Sequence, residues 1–212
     1  MSRFDLVIFD CDGVLVDSER LAIRVEGEIL ASIGWPMSSD EIVERFVGRS
    51  VAHMKSEVEA HIGREIDWDN EFDRHYREVF ETELTAIEGV RDVLESLESP
   101  FCVASSGTVA KVTHSLHLTG LFEFFEGRIF GADLVRNAKP APDLFLLAAR
   151  EMDADPVRCC VIEDSLAGVN AAQAARMDVF AFAGGVTPAT TLAGAGVRLF
   201  TRMSELATLL AS

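Results

Sequence analysis

The chain of 212 residues has few basic side chains: lysine and arginine total 19 against 35 aspartates and glutamates, a formal net charge of -16 at pH 7. Phosphate backbones and anionic lipid heads repel such a chain, which argues against nucleic acid and membranes as partners. It lacks an apolar run of the roughly 18 residues that a membrane span needs, and its first ten residues lack the features of a signal peptide. We therefore expect a cytoplasmic, monomeric protein that binds anions only locally.

Cysteine is also scarce, and the four cysteines lie in or beside short apolar runs. Their positions do not fit a disulfide framework, and no metal-ligand spacing of cysteine and histidine occurs. We interpret them as small core residues of a protein in a reducing compartment. With 49% hydrophobic and 25% charged residues, the chain is predicted to be globular rather than disordered or fibrous.

Short, uninterrupted apolar runs recur along the chain, and helical patterns separate most of them. Such runs are typical of strands buried on both faces of a parallel sheet. The alternation predicts an α/β fold with a doubly wound, mostly parallel, Rossmann-like sheet that helices cover on both faces. The predicted strands are residues 6–9, 101–104, 128–130, 159–162, 179–182 and 197–200.

The stretch from about residue 18 to 84 has no strand-like run, and its apolar residues recur at helical spacing. Ser38 and Glu41 have the spacing of a capping box, and a further helix is predicted from Trp68 to Leu84. Nearly 70 helical residues are too many for one crossover. We therefore predict a helical cap domain at 17–86, inserted into an α/β core domain at 1–16 and 87–212, and it carries -9 of the net charge.

Two aspartates, Asp10 and Asp12, directly follow the first predicted strand and precede Gly13. Open parallel sheets bind their ligands at the carboxyl ends of their strands. A glycine there allows the sharp reversal that a loop over this edge needs. We therefore interpret this aspartate pair as part of a functional site rather than as part of a solvated turn.

Two further motifs supply groups that bind anions. Ser105, Ser106 and Thr108 lie between a predicted strand and a helix, where hydroxyls and backbone N–H groups form an anion site or cap the helix. Lys139 precedes a Pro-Ala-Pro-Asp turn that restricts the backbone around it. A site with several carboxylates and a phosphate needs such a cation.

A fourth motif places Glu163 and Asp164 at the end of another predicted strand. Because strand ends of one sheet lie side by side, these carboxylates should converge with Asp10 and Asp12. Four carboxylates in one cleft repel one another, and an oxygen-seeking divalent cation relieves that repulsion. Carboxylates with water and a phosphate oxygen are a typical ligand set of Mg²⁺.

Together, the motifs Asp-x-Asp-Gly-Val-Leu-Val-Asp-Ser, Lys-Pro-x-Pro-Asp and Glu-Asp-Ser-x-x-Gly resemble those of the haloacid dehalogenase superfamily, in its branch with a helical cap. The resemblance covers the core from Asp5 to about Ala183 and is closest to sugar-phosphate phosphatases and β-phosphoglucomutase. The cap matches in length and helicity but hardly in motif. The resemblance implies an Mg²⁺-dependent phosphatase of a small phosphorylated metabolite, a sugar or sugar-acid phosphate.

The resemblance also implies a role for each motif residue. Asp10 is the nucleophile that forms an aspartyl-phosphate, and Asp12 is the general acid and base. The ligands of Mg²⁺ are the Asp10 carboxylate, the Asp12 carbonyl and Asp164, with Glu163 a direct ligand or linked through water. The phosphoryl oxygens are bound by Ser105, the Ser106 N–H and Lys139.

Two alternatives stay open at this point. A β-phosphoglucomutase-like mutase would carry a histidine where this chain has Ala22, and its absence favours a phosphatase. A non-catalytic phospho-receiver or binding module shares carboxylates, a hydroxyl and a lysine on a parallel sheet, but a receiver accepts phosphate at a later strand and has no such insertion. Asp12 argues against dehalogenation as well. Dehalogenases of this superfamily lack the second aspartate, because a halide leaves without a proton.

Substrate selection is expected to fall to cations of the acidic cap. Arg49, after an amphipathic helix, and Arg74 or Arg77, on the polar side of the Trp68 to Leu84 helix, are the candidates. These arginines could instead pair with neighbouring acids such as Asp73. In β-phosphoglucomutase an arginine and a lysine lie in comparable cap regions.

Overall fold

The structure is a computed structural model, and it describes residues 3–47, 51–194 and 196–211. The chain divides into two compact units, one of Met1–Asp17 with Thr85–Ser212 and one of Ser18–Leu84. The boundaries expected from the sequence, 17 and 86, lie one and two residues outside this division. That the helical unit acts as a cap domain stays a prediction.

The first unit is built on six strands: β1 Leu6–Phe9, β2 Phe101–Ser105, β3 Ile129–Gly131, β4 Cys159–Glu163, β5 Asp178–Phe182 and β6 Val197–Phe200. They form one sheet in the order β3-β2-β1-β4-β5-β6, and neighbouring strands all run parallel. This arrangement confirms the predicted α/β class. The two central strands, β1 and β4, are buried along their whole length, which is why their sequences read as unbroken apolar runs.

Helices pack on both faces of this sheet. On one face, α8 (Asp143–Glu151) and α9 (Leu166–Ala174) bury small and apolar residues against Leu6 and Ile8 of β1. On the other face, the rings of Phe9, Phe101 and Phe125 meet edge to face, with centroids 5.5–6.3 Å apart. The helices of this unit are α5 Val90–Ser96, α6 Val109–Leu118, α7 Phe122–Phe125, α8 Asp143–Glu151, α9 Leu166–Ala174, α10 Ala189–Leu192 and α11 Leu206–Ala211.

The second unit, as far as it is described, contains α1 Ser18–Ser32, α2 Ser39–Phe46, α3 Val51–Ile62 and α4 Arg74–Glu83. The predicted capping box is present: Ser38 Oγ accepts from the Glu41 N–H, and the Glu41 carboxylate accepts from the Ser38 N–H. Tyr76 Oη donates to Glu26 Oε1 at 2.6 Å and so ties α4 to α1.

The predicted helix from Trp68 to Leu84 is helical from its first residue, but it is not an α-helix throughout. Asp69–Asp73 forms a π-helical turn, and the α-helix α4 runs from Arg74 to Glu83. The Asp67 carboxylate accepts hydrogen bonds from the Asn70 N–H and amide, and such bonds compete with regular helix formation.

The four cysteines are buried thiols without a disulfide, as expected for core residues. Among the described residues, no helix combines the length and apolarity that crossing a bilayer requires.

Candidate active site at the carboxyl edge of the sheet

Three neighbouring strands bring the predicted site residues to one edge of the sheet. Asp10 directly follows β1, Ser105 ends β2 and Glu163 ends β4, and all three residues are buried. From β1 the strand order runs in opposite directions, to β2 and β3 on one side and to β4, β5 and β6 on the other. Open α/β sheets bind ligands at such a switch point.

The ammonium group of Lys139 lies between two carboxylates. Its Nζ is 2.6 Å from Asp10 Oδ1 and 2.7 Å from Glu163 Oε1, and it donates a third hydrogen bond to the Ala104 carbonyl oxygen at 3.1 Å. Only 2% of the Lys139 side chain is exposed, and the Phe145 ring centroid is 4.7 Å from Nζ. Because an ammonium has three donors, these three acceptors determine its position.

Burial of these charges shifts their protonation equilibria. Burial raises the pKa of Asp10 to about 7, and the opposing attraction of Lys139 does not offset the rise. Burial lowers the pKa of Lys139, but Asp10 and Glu163 raise it by more, so its pKa lies above the usual value. Lys139 therefore stays an ammonium, whereas Asp10 needs further positive charge nearby to be fully ionised at neutral pH.

Both carboxylate oxygens of Glu163 accept hydrogen bonds. Oε1 accepts from Lys139, and Oε2 accepts from the N–H groups of Asp164 and Ser165 at 3.0 and 2.8 Å and from the Ser165 hydroxyl at 2.9 Å. A Cβ atom at Gly168 would overlap the Glu163 carboxylate. Glycine at this position in α9 is therefore a steric requirement of the Glu163 orientation.

Carboxylate oxygens of Asp10, Glu163 and Asp164 lie within 4.8 Å of one another. Opposite ligands of an octahedral Mg²⁺ are about 4.2 Å apart, so these oxygens are close to the spacing at which they could share one ion. Gly13 has φ of 75°, and a Cβ there would overlap Asp164 Oδ2. The oxygen-only donor set and the space kept by Gly13 fit a hard divalent cation.

The loop after β2 is ordered by its own hydroxyl groups. Ser105 Oγ accepts from the Gly107 N–H at 3.1 Å, and Thr108 caps α6 by accepting from the Lys111 N–H. Ser106, between them, is exposed. Thr108 thus caps the helix, and Ser106 lies in the loop whose N–H groups precede it.

Asp133, which the sequence analysis missed, supports this loop from the end of β3. Its Oδ1 accepts from the Val109 N–H at 2.9 Å, and the neighbouring Ala132 N–H donates to the Gly107 carbonyl oxygen at 2.9 Å. A Cβ at Gly131 would approach Asp133 and the Val109 N–H closely. The contacts depend on β3 lying beside β2, which no local pattern reveals.

Lys111 is the second residue that the sequence analysis missed. Its Nζ is 3.1 Å from Asp12 Oδ2, and 55% of its side chain is exposed, against 23% of the Asp12 side chain. One signal was available: the chain has only three lysines among its 19 basic residues. Two of the three, Lys111 and Lys139, contact the Asp-x-Asp pair.

The sequence predicts that arginines of the cap select the substrate. Arg49 lies outside the residues that the structure describes. Arg74 is exposed at the first position of α4. Their expected part in substrate recognition stays a prediction.

Known proteins resemble this chain along most of its length. A family model described as haloacid dehalogenase-like hydrolase matches residues 4–176. The 6-phosphogluconate phosphatase of Escherichia coli K12 is 31% identical over 185 residues, which are 86% of this chain and 84% of that protein.

Solved structures of similar fold also cover nearly the whole chain. A HAD-family hydrolase from Deinococcus radiodurans R1, with bound phosphate and sodium, has a TM-score of 0.87 at 29% identity and covers 100% of this chain and 96% of its own. A variant of CbbY from Rhodobacter sphaeroides, in complex with xylulose 1,5-bisphosphate, has a TM-score of 0.72 at 25% identity and covers 96% of each chain.

The overlap at Gly168 generates a prediction with a matched control. Gly168→Ala should lower the free energy of unfolding by about 2 kcal/mol or more, because the new Cβ displaces the buried Glu163 carboxylate from its partners. Gly27→Ala, at a helical glycine whose Cβ would meet only Ile42 Cδ1 at 3.4 Å, should be neutral or stabilising by up to about 1 kcal/mol. Urea unfolding of both variants measures the difference; equal effects would show that the Glu163 orientation does not require a glycine.

Proposed function

Because the chain belongs to the haloacid dehalogenase-like hydrolases and is a phosphoric monoester hydrolase of phosphorylated metabolites, we propose that it hydrolyses a sugar or sugar-acid phosphate through a phosphorylated Asp10, with Mg²⁺ as its cofactor. The observation that carries the proposal is the buried Lys139 ammonium between Asp10 and Glu163. A fixed cation beside a buried carboxylate suits phosphoryl transfer, which depends on positioning and charge neutralisation.

In the proposed first step, a carboxylate oxygen of Asp10 bonds to phosphorus while the bond from phosphorus to the sugar oxygen breaks. Asp12 gives its proton to that oxygen, so the sugar leaves as an alcohol. In the second step, Asp12 takes a proton from a water molecule whose oxygen attacks phosphorus, and the bond to Asp10 breaks. Inorganic phosphate leaves, and both aspartates return to their starting states.

The remaining motif residues bind and orient the phosphoryl group. Lys139, the Ser105 hydroxyl and the Ser106 N–H are assigned to its oxygens. Mg²⁺, when bound, would neutralise charge on Asp10 and on the phosphoryl group, and Asp10, Asp164 and the Asp12 carbonyl would hold it.

Glu163 is assigned a different part. Its Oε2 already accepts three hydrogen bonds, and its Oε1 accepts from Lys139. We therefore assign Glu163 to holding Lys139 and the following loop, with any contact to the metal passing through water.

The names of the relatives support the substrate class, since they include a phosphatase of a sugar-acid phosphate and a complex with a sugar bisphosphate. Ala22, where β-phosphoglucomutase has a histidine, favours hydrolysis over mutase activity. Membership of a hydrolase family argues against a silent receiver or binding module. The cytoplasmic location and the monomeric state stay predictions.

The nucleophile is tested by Asp10→Asn. Turnover of p-nitrophenyl phosphate with Mg²⁺ should fall by about a hundredfold or more, equal to about 2.7 kcal/mol, because an amide cannot attack phosphorus. Circular dichroism should show an unchanged fold, and borohydride reduction should modify Asp10 only in the wild-type protein during turnover. A folded variant that retained more than a few per cent of the activity would exclude Asp10 as nucleophile.

The metal assignment is tested by chelation. Mg²⁺ at about a hundred times its dissociation constant should raise the melting temperature by about 5–10 °C, because it relieves the repulsion among the carboxylates. EDTA should remove this gain and stop turnover. Asp164→Ala should abolish the gain, and Glu163→Ala should reduce it less. Asp178→Asn, at the amino end of β5, is the control and should retain it. Identical melting curves with Mg²⁺ and with EDTA would contradict the assignment.

Substrate recognition by the cap is tested with a panel of phosphorylated sugars, sugar acids and nucleotides. For the best substrate, Arg74→Ala should raise KM about tenfold or more, equal to about 1.4 kcal/mol, while turnover of p-nitrophenyl phosphate changes little because it offers no sugar. Arg49→Ala is expected to act likewise. A parallel loss on both substrates would assign the arginine to structural support.

A further inference from the structure

The contact of Lys111 with Asp12 joins a helix to the loop after β1. Lys111 lies in the first turn of α6, directly after the loop that is assigned to the phosphoryl group, and its Nζ is 3.1 Å from Asp12 Oδ2. The two residues are 99 positions apart in the chain. The contact therefore depends on the sheet, which places α6 close to the end of β1.

The stem of Lys111 runs across residues 105–108, the loop that is assigned to the phosphoryl group and is called the phosphate loop. A Cβ at Gly107 would lie 3.3 Å from Lys111 Cδ and 3.6 Å from Ser105 Oγ. The stem thus passes over a backbone that carries no side chain, beside the hydroxyl that ends β2. The absence of a side chain at Gly107 leaves a direct path from α6 to Asp12.

The ion pair with Asp12 itself adds little to stability. An ion pair with one half-exposed partner contributes about 0.2–1 kcal/mol. The chain uses arginine for sixteen of its 19 basic residues, yet each of the two motif aspartates contacts a lysine. An ammonium is a compact point charge with rotatable donors, whereas a guanidinium is a broad planar fork.

We propose that Lys111 is a positioning residue: it holds Asp12 Oδ2 by a hydrogen bond so that Oδ1 faces the oxygen of the leaving group. This inference rests on the proposed role of Asp12 as acid and base. In the first step the Asp12 proton passes to the sugar oxygen as the bond from phosphorus to that oxygen breaks and the bond to Asp10 forms. In the second step Asp12 takes a proton from the attacking water. Lys111 exchanges no proton in either step.

The test compares two leaving groups in rapid-mixing experiments. For glucose 6-phosphate, whose alkoxide must be protonated, Lys111→Met should lower kcat by about tenfold or more with little change in KM. For p-nitrophenyl phosphate, whose phenolate departs without a proton, the first turnover should keep its rate within about twofold. Lys111→Arg, which retains a cation, should recover most of the glucose 6-phosphate rate.

The matched control is Lys55→Met. Lys55 is a half-exposed lysine on α3 whose Nζ is 3.8 Å from Glu59 Oε1, and its replacement should alter neither rate. In an Asp12→Asn background, Lys111→Met should add no further loss, because the two residues act as one unit. An additional loss there would show that Lys111 acts independently of Asp12.

Three other results would also overturn the inference. Equal slowing of the first turnover of both substrates, with a lower melting temperature, would indicate structural support of the phosphate loop. A higher KM for glucose 6-phosphate at unchanged kcat would indicate substrate binding, and failure of Lys111→Arg to recover activity would show that the cation is not required. If Asp12→Asn itself retained full turnover of glucose 6-phosphate, the proposed role of Asp12 would fail and this inference with it, whereas the three results above would overturn only the role of Lys111.

Discussion

A buried lysine between two buried carboxylates is the interaction on which this site depends. Removing three charges from water is costly, and the cost is offset only where each charge is closely paired. Lys139 satisfies this condition with Asp10, Glu163 and one backbone carbonyl. Because its partners end different strands, the pairing requires β1 and β4 to be neighbours with their carboxyl ends level.

The same interaction links structure to chemistry. Asp10 is held close to a cation yet has a raised pKa, because burial outweighs the attraction of Lys139. Such a carboxyl group is poised to respond to additional positive charge, and a divalent cation beside Asp164 would supply it. In the proposed reaction, a phosphoryl group would in turn bring negative charge toward Lys139. The proposal thus assigns to the metal and the phosphoryl group the charges that balance Asp10 and Lys139.

Two glycines at the sheet edge make this arrangement sterically feasible. Gly13 takes a positive φ and leaves space for Asp164, and Gly168 leaves space for Glu163. At both positions, the methyl group of an alanine would overlap a carboxylate. The two glycines are therefore required because they leave room for acidic side chains, and not only because Gly13 allows a turn.

Sequence patterns were enough to predict the strands, the class of sheet and the residues that follow each strand, because burial on both faces leaves an unbroken apolar run and a strand end is a local event. They also determined the family, through motifs of adjacent residues. Two details of the site depend on the tertiary structure: Lys111 contacts Asp12, and Asp133 accepts a hydrogen bond from the Val109 N–H after the loop that follows β2. Both contacts join residues 24 or more positions apart, and they depend on strand order and helix placement. Local periodicity reports which face of an element is buried, but it does not report which distant side chain reaches a given carboxylate.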